Sequence, residues 1–161
     1  MTTVKFPPLF FLFFLLTFQM KSQNKSQKDS INVHKVIISL FDGMREGDSS
    51  KVHETFHKKV RMFTSYSSKI GEQKLEEGKL SHFLNAVGSP HENIWDERIS
   101  NIRILIDDGL AQVWTDYVFY IGDKFSHCGV DSFQLVKDKN KKWKIINLID
   151  TRRVVGCISK Y

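Results

Sequence analysis

The chain has 161 residues, of which 41% are hydrophobic and 26% charged, and its formal net charge at pH 7 is +6. This composition is typical of one globular domain with a real core and argues against a disordered chain. Basic residues are mixed with acidic ones along the sequence, and no nucleic-acid-binding motif accompanies them, so we predict no nucleic-acid partner.

Residues 1–22 have the layout of an export signal. Lys5 precedes an apolar run from Phe6 to Phe18, and a polar segment follows. The run is shorter than the ~18–20 apolar residues of a spanning helix, which favours a cleaved signal over a permanent anchor. We therefore predict a periplasmic or extracellular protein with no membrane span after cleavage. The remaining divisions are a flexible leader over residues 23–30, a domain over residues 31–155 and a tail over residues 156–161.

The first half of the domain shows helical patterns separated by short strand patterns. Apolar residues at helical spacing predict a helix that starts at Ile31 and is ended by Gly47. Asp48 is placed to cap a second, short helix through about Phe56. A short strand is predicted over Val60–Tyr66, followed by a turn with a further short strand, and Leu75–Val87 predicts a third helix.

A five-residue zinc motif lies at the end of the second helix. His53-Glu54-Thr55-Phe56-His57 matches H-E-x-x-H, in which two histidines one helical turn apart bind zinc, and Glu77 could be a third ligand. The predicted helix is too short to support such a site, and Lys58 and Lys59 would repel a dication. We predict no metal and no cofactor.

Four long strand patterns follow the third helix, joined by tight turns. They cover Ile99–Ile106, Leu110–Ile121, Lys124–Lys137 and Lys142–Val154. Helices followed by long antiparallel strands predict an α+β fold. A long antiparallel sheet beside three helices has to curl around them. The sequence therefore predicts a cone whose open end can take a small ligand.

The last two strands carry the densest polar groupings of this region. His127 and Asp131 share one face of their strand, and Asp150 and Arg152 share one face of the last strand. A two-residue turn between the strands would place His127 beside Arg152, with position 129 opposite Asp150. A three-residue turn would instead place His127 beside Arg153 and Thr151.

These residues support two interpretations. His127 with Asp150 could act as general base and orienter, with Tyr117 or Arg152 stabilising a developing oxyanion. Alternatively, Asp150 and the neighbouring arginines form a structural ion pair, and His127 is a partly buried core residue. The residues predicted to contact a ligand are Trp114, Tyr117, His127, Asp131, Asp150 and Arg152.

Several motifs, in this order, carry a resemblance to a known superfamily. Phe41-Asp42-Gly43, Glu46-Gly47-Asp48 and Trp143-Lys144-Ile145-Ile146 are similar to the nuclear transport factor 2-like superfamily, in its SnoaL-like and putative lumazine-binding branches. The resemblance covers about Ile31 to Arg153. It implies a cone-shaped α+β barrel, often dimeric through the outer sheet face. It does not imply a reaction, because one fold can host many functions.

We predict an exported protein that binds a small hydrophobic or aromatic molecule. The alternatives are a cofactor-independent acid–base enzyme, of the isomerase, cyclase or hydratase type, that uses His127 with Asp150, and a dimeric scaffold with an occluded cone. In an oxidising compartment Cys128 and Cys157 could form a disulfide. The other interpretation is a buried Cys128 and a free Cys157.

Overall fold

The computed structural model describes residues 8–157, with side chains from residue 25 onward. Its elements are α1 (Pro8–Glu46), α2 (Ser49–Thr55), β1 (Phe56–Ser67), β2 (Gln73–Gly78), α3 (Leu80–Gly88), β3 (Trp95–Asp107), β4 (Leu110–Ile121), β5 (Lys124–Lys137) and β6 (Trp143–Arg152). The strands form one curved, unclosed sheet in the order β2-β1-β6-β5-β4-β3. The predicted α+β fold is confirmed.

The helix α1 starts earlier than the sequence pattern indicates. Residues 23–30, predicted as a flexible leader, are helical in the structure and continuous with the domain helix. The side chain of Asp29 is buried, where it accepts hydrogen bonds from Trp143 Nε1 at 3.2 Å and from Lys137 Nζ at 2.9 Å. Because both partners lie more than 100 residues away in sequence, the local polar composition gives no sign of this anchor.

Two local predictions in this half are refined. The side chain of Asp48 caps α2 by accepting a hydrogen bond from the Lys51 backbone N–H at 2.9 Å. The predicted third helix starts later, because residues 73–78 form strand β2 instead, paired antiparallel with β1. The exposed β2 carries Lys and Glu, which suits an edge strand.

The sheet departs from a purely antiparallel plan at one place. β1 pairs in parallel with β6, whereas the other strand pairs of the described sheet are antiparallel. Irregularities in register interrupt β3 after Ser100, the β4–β5 pair after Phe119 and the β5–β6 pair after Gln134. Such bulges bend strands and increase their twist, and this lets the sheet curl around the helices.

The core lies between the curled sheet and α1. Val33, Ile37 and Leu40 of α1 are buried against the inner face of the sheet, where Phe133 and Ile145 are fully buried. The helical stripe predicted from Ile31 onward therefore faces the core. Toward the end of α1, Leu40, Phe41 and Met44 line a cavity.

Two sequence predictions concern residues at the chain ends. Residues 1–7 of the predicted export signal and residues 158–161 of the predicted tail lie outside the described residues. Among the helices that are described, none is both long and apolar enough to cross a membrane.

Candidate functional site

A cavity of about 510 Å³ lies between α1, α3 and the inner face of the sheet. Its walls are mostly apolar and rich in aromatic rings: Leu40, Phe41, Met44, Met62, Phe63, Phe83, Ala86, Trp95, Phe119, Phe133 and Leu148. The exposed residues Glu77, Lys79 and His82 stand at its edge. Ligand pockets typically measure about 300–1,000 Å³, so the cavity can hold an organic small molecule.

Polar side chains from five strands gather on the sheet side of this cavity. They are Thr64, Glu97, Tyr117, His127, Asp131, Asp150 and Arg152. Glu97, Asp131 and Asp150, which we call the acidic cluster, come from β3, β5 and β6. Three carboxyl groups in an otherwise apolar cavity cost free energy unless each is hydrogen-bonded, neutralised or paired with a cation.

Asp150 is the member of the acidic cluster with conventional partners. Thr64 Oγ1 donates a hydrogen bond to Asp150 Oδ1 at 2.6 Å, and Arg152 Nε donates to Oδ2 at 2.8 Å. Thr64 and Asp150 are register partners in the parallel β1–β6 pair, so the backbone itself sets this contact. The two donors fix the orientation of the Asp150 carboxylate.

Asp131 and Glu97 form a pair of a different kind. Asp131 is only 3% exposed, and its Oδ2 has no hydrogen-bond donor among the described residues. Its side chain instead meets the carboxyl group of Glu97. Ionised carboxylates are acceptors only, so this contact is a hydrogen bond only when one group carries a proton.

Burial governs the protonation of this pair. Burial, with the neighbouring Glu97 and Asp150 charges, raises the pKa of Asp131 well above its usual range. Burial and the Asp150 charge raise the pKa of Glu97 to about 7, although its contact with Asp131 opposes the rise. At neutral pH the pair therefore holds at least one proton.

Tyr117 and Gly129 shape the cavity where β5 meets β6. Tyr117 is buried, and its hydroxyl donates to the Thr151 backbone oxygen at 2.8 Å. A Cβ on Gly129 would lie 1.7 Å from the same oxygen. Only glycine fits there, because the backbone of Thr151 has no room to move. Burial and the Asp150 charge raise the pKa of Tyr117, so the hydroxyl stays protonated.

His127 lies in the same cavity but does not pair with Asp150. Its Nδ1 is 2.9 Å from Ser126 Oγ, and its ring packs against Phe119 with centroids 5.1 Å apart. Burial and the Arg152 charge lower the pKa of His127, which favours the neutral ring. Among the described hydrogen bonds none joins His127 to Asp150, so the structure does not bring together the two residues predicted as base and orienter.

One of the two predicted registers of the β5–β6 hairpin holds near its loop. Lys137 pairs with Trp143 and Leu135 with Ile145, as the three-residue turn predicts, and an irregularity after Gln134 then shifts the pairing by one residue. As a result Asp131, not position 129, lies opposite Asp150, and Cys128 pairs with Arg153. The Asp138 backbone N–H donates to the Lys142 oxygen at 2.8 Å, which closes a three-residue turn over residues 139–141. Asp138 Oδ1 also accepts from the backbone N–H groups of Asn140 and Lys142.

Of the six predicted ligand contacts, the cavity contains five. Tyr117, His127, Asp131, Asp150 and Arg152 line it. Trp114 does not, because it alternates with the buried Val113 and Thr115 and lies on the outer face of the sheet, 44% exposed. The structure therefore places Trp114 outside this cavity.

Sequence reasoning missed Glu97 and Thr64. Glu97 precedes Ile99 by two positions, so extending the alternating pattern of β3 back to Trp95 would have placed it on the inner face. Thr64 alternates with Met62 within a strand that the sequence does predict. In both cases the two-residue alternation of the strand indicates which side chains face inward. Glu97 lies near a strand end, where alternation is hardest to recognise.

Cys128 and Cys157 form a disulfide in the structure. The bond ties the segment after β6 to β5, directly beside the Cys128–Arg153 backbone pair. Of the two interpretations open at the sequence level, the structure has the paired one. Arg152 therefore lies in a segment that is fixed by its pairing with β1 and by the disulfide that follows it.

The zinc motif is divided between two elements. His53 lies in α2, which ends at Thr55, whereas His57 lies in β1, where its Nδ1 accepts a hydrogen bond from the Lys59 backbone N–H. The two histidines are therefore not one turn apart on a helix. Within the described residues, no cluster of three metal-ligating side chains occurs.

Solved structures share this fold at low sequence identity. An NTF2-like protein with a cystatin-like fold from Novosphingobium aromaticivorans has a TM-score of 0.68 at 7% identity, over 87% of this chain and 91% of its own. A putative scytalone dehydratase from the same organism has a TM-score of 0.64 at 13% identity, over 82% and 89%. A putative ketosteroid isomerase from Shewanella frigidimarina has a TM-score of 0.55 at 14% identity, over 74% and 94%.

The chain shares with these neighbours a curved sheet that encloses helices and a lined cavity, so its fold is nuclear transport factor 2-like. The family model described as putative lumazine-binding matches residues 28–149. The chain belongs to that family. No curated protein matches the sequence.

Proposed function

We propose that this chain is a small-molecule-binding protein whose ligand occupies the cavity. The observation that carries the proposal is a cavity of about 510 Å³ with apolar walls around a buried polar cluster. Within that cluster Asp131 Oδ2 has no donor from the described residues, so a ligand group can supply one. The open cavity also favours binding over the scaffold interpretation.

The lining describes the general form of the ligand. Aromatic walls suit a flat or bulky apolar body, and the polar cluster fixes the orientation of one polar group. The description of the family names lumazine, a fused bicyclic heterocycle with N–H and C=O groups. A molecule of that size fits the cavity, so lumazine belongs among the first compounds to test.

Native mass spectrometry of protein purified from its own host tests the proposal. We expect a retained small molecule, released by denaturation, at about one copy per chain. Ala86→Trp fills the cavity from α3 and should abolish retention. Asn85→Trp places the same side chain on the exposed side of the same helix and should leave retention intact. Equal retention in both variants, or no retained molecule in any host fraction, would contradict the proposal.

An acid–base enzyme is the second candidate. The observation that favours it is Glu97, whose pKa of about 7 suits proton transfer at neutral pH. This candidate differs from the one predicted from the sequence, because His127 and Asp150 do not form a pair. Glu97 would take or give the proton, and Arg152 would stabilise negative charge that develops on the substrate.

The two candidates separate in one comparison. The retained molecule is added back to wild-type protein and to Glu97→Gln, and the mixture is followed by mass spectrometry. An enzyme converts the molecule in the wild type and not in the variant, while the variant still binds it. A binding protein returns the molecule unchanged in both cases.

We also propose that the protein is exported. The support is the signal-like pattern of residues 1–22 together with the Cys128–Cys157 disulfide, since disulfides persist in oxidising compartments. Fractionation of the host, with N-terminal sequencing of the mature chain, tests this. An intact N-terminus in a cytoplasmic fraction with two reduced thiols would contradict it.

The outer face of the sheet is the surface that we propose for a homodimer. Trp114, Leu105 and Leu110 are 44%, 68% and 53% exposed there. Apolar side chains grouped on one sheet face are typical of protein–protein contacts. Light scattering should show a dimer for the wild type and a monomer for Trp114→Glu. A monomeric wild type at micromolar concentration would contradict the proposal.

A further inference from the structure

We propose that the ligand of this cavity is an organic cation, an ammonium or amidinium group on an apolar body, with its N–H groups directed at Glu97 and Asp131. The inference rests on the proposed function, because it names the chemical class of ligand for the same cavity. It goes beyond size and apolar character to the charge that the polar cluster recognises.

The first argument is the balance of charge. The acidic cluster has three carboxyl groups, and Arg152 is the cation whose charge acts on all three. Glu77 and Lys79 also line the cavity but stand exposed at its edge. Arg152 donates to Asp150 through Nε at 2.8 Å, and its side chain is 54% exposed. Asp150 is thereby compensated, whereas Glu97 and Asp131 have no ion-pair partner among the described residues. A ligand cation would compensate that pair.

The second argument is the unpartnered acceptor. Asp131 lies on the inner face of β5, 3% exposed, and its Oδ2 accepts no hydrogen bond from the described residues. A buried polar atom without a partner costs about 1–3 kcal/mol. The Glu97 contact relieves this cost only by holding a proton between two carboxyl groups. That proton occupies the place where an N–H donor of a ligand would bind.

The third argument is the composition of the walls. The rings beside the acidic cluster are those of Phe41, Phe83, Trp95, Tyr117, Phe119 and Phe133. Aromatic faces attract cations by about 0.5–2 kcal/mol, more when water is excluded. An aromatic enclosure around carboxylates therefore favours an ammonium group over a neutral group of the same shape. An anionic ligand would be repelled by the carboxylates and by the negative faces of the aromatic rings.

A cation and the shared proton compete for the same carboxyl pair. The titratable and charged groups that act on Glu97 are Asp131 of β5 and Asp150 and Arg152 of β6, and Glu97 in turn acts on Tyr117 of β4. His127 lines the same cavity, and Glu77, Lys79 and His82 stand at its edge. The helix α1 presents Leu40, Phe41 and Met44 to the cavity, which do not titrate. Binding of a cation should thus release a proton, and affinity for a non-titrating cation should rise as the pH rises through about 7.

A matched pair of probes tests the inference directly. The 2-phenylethylammonium ion and propylbenzene have the same shape and differ in an ammonium group against a methyl group. Binding of each to the full chain at pH 8 is measured by ligand-observed NMR. A charge-assisted hydrogen bond contributes about 1.5–3 kcal/mol, so we expect the cation to bind about 10- to 100-fold more tightly.

Two variants assign the preference to the acidic cluster. Glu97→Gln should reduce the preference for the cation about tenfold or more, because it removes the carboxylate and retains the side-chain shape. Glu76→Gln makes the same change on the exposed strand β2, outside the cavity, and should leave the preference unchanged. Unfolding by urea, measured on both variants, shows that each is folded at the concentration used.

Each contrary outcome has a distinct meaning. Propylbenzene binding as tightly as the cation, a preference that Glu97→Gln leaves unchanged, or binding of neither probe would overturn the inference. The proposed function is decided separately by the retained molecule. If native mass spectrometry finds a neutral molecule such as lumazine in the cavity, the binding function stands and the cation inference is wrong.

Discussion

Replacing Glu97 with glutamine should remove a pH dependence from the stability of the fold. Burial and the Asp150 charge raise the pKa of Glu97 from 4.5 to about 7. Between these pH values the unfolded chain releases the proton while the folded chain keeps it. The wild type therefore loses stability as the pH rises from 4.5 to about 7, at ~1.4 kcal/mol per pH unit, and its stability levels off above that range.

The magnitude follows from the same two values. Over the whole interval the wild type loses about 3 kcal/mol through this one group. Glutamine cannot ionise, so the free energy of unfolding of Glu97→Gln, minus that of the wild type, should increase by about 3 kcal/mol between pH 5 and pH 8. The substitution also removes the Glu97 charge that raises the pKa of Asp131. The pKa of Asp131 therefore falls in the variant, which increases the same difference in stability.

Urea unfolding followed by tryptophan fluorescence at several pH values measures this difference. Burial lowers the pKa of His127, but this residue is present in both proteins, so its contribution cancels in the difference. Glu76→Gln on the exposed strand β2 is the control, and its difference from the wild type should stay flat. A flat difference for Glu97→Gln as well would refute the buried carboxyl pair.

Three further changes test other parts of the structure. Gly129→Ala should destabilise the fold by more than about 3 kcal/mol in thermal or urea unfolding, since its Cβ would lie 1.7 Å from the Thr151 oxygen. Gly109→Ala, with no atom within 4 Å of the added Cβ, should change stability little, and similar losses for both would refute this packing. Cys157→Ser removes a disulfide that joins residues 29 positions apart and should lower the free energy of unfolding by about 3 kcal/mol. Free thiols in the wild type would contradict the disulfide. Asp29→Ala should cost about 1–3 kcal/mol and speed hydrogen exchange in residues 25–32, whereas unchanged exchange would contradict the anchoring of α1.

The sheet was predictable because its strands carry their own signals. Leu110–Ile121 and Lys124–Lys137 were predicted with the bounds that the structure has, since each strand alternates between apolar and polar residues and ends at a turn. Alternation also placed Asp131 and Asp150 on the inner faces of their strands. Alternation also places Trp114, between Val113 and Thr115, on the outer face, so its assignment to the cavity did not follow from the strand period.

Register is the point at which the sequence no longer sufficed. The three-residue turn predicts the pairs next to the loop, such as Lys137 with Trp143, but an irregularity after Gln134 shifts every pair beyond it by one residue. A change of one residue reassigns every cross-strand neighbour. The pairing of Asp131 with Asp150 in place of a His127 partnership is a direct result.

The class of fold, the faces of the strands and five of the seven polar residues in the cavity could be predicted from the sequence, because periodicity is a local property that side chains report directly. The tertiary structure alone decided that Glu97 meets Asp131, that Thr64 and Arg152 hold Asp150, and that Asp29 anchors α1. These contacts join residues from strands and helices far apart in the chain. Burial then sets their protonation, and burial is a property of the whole fold.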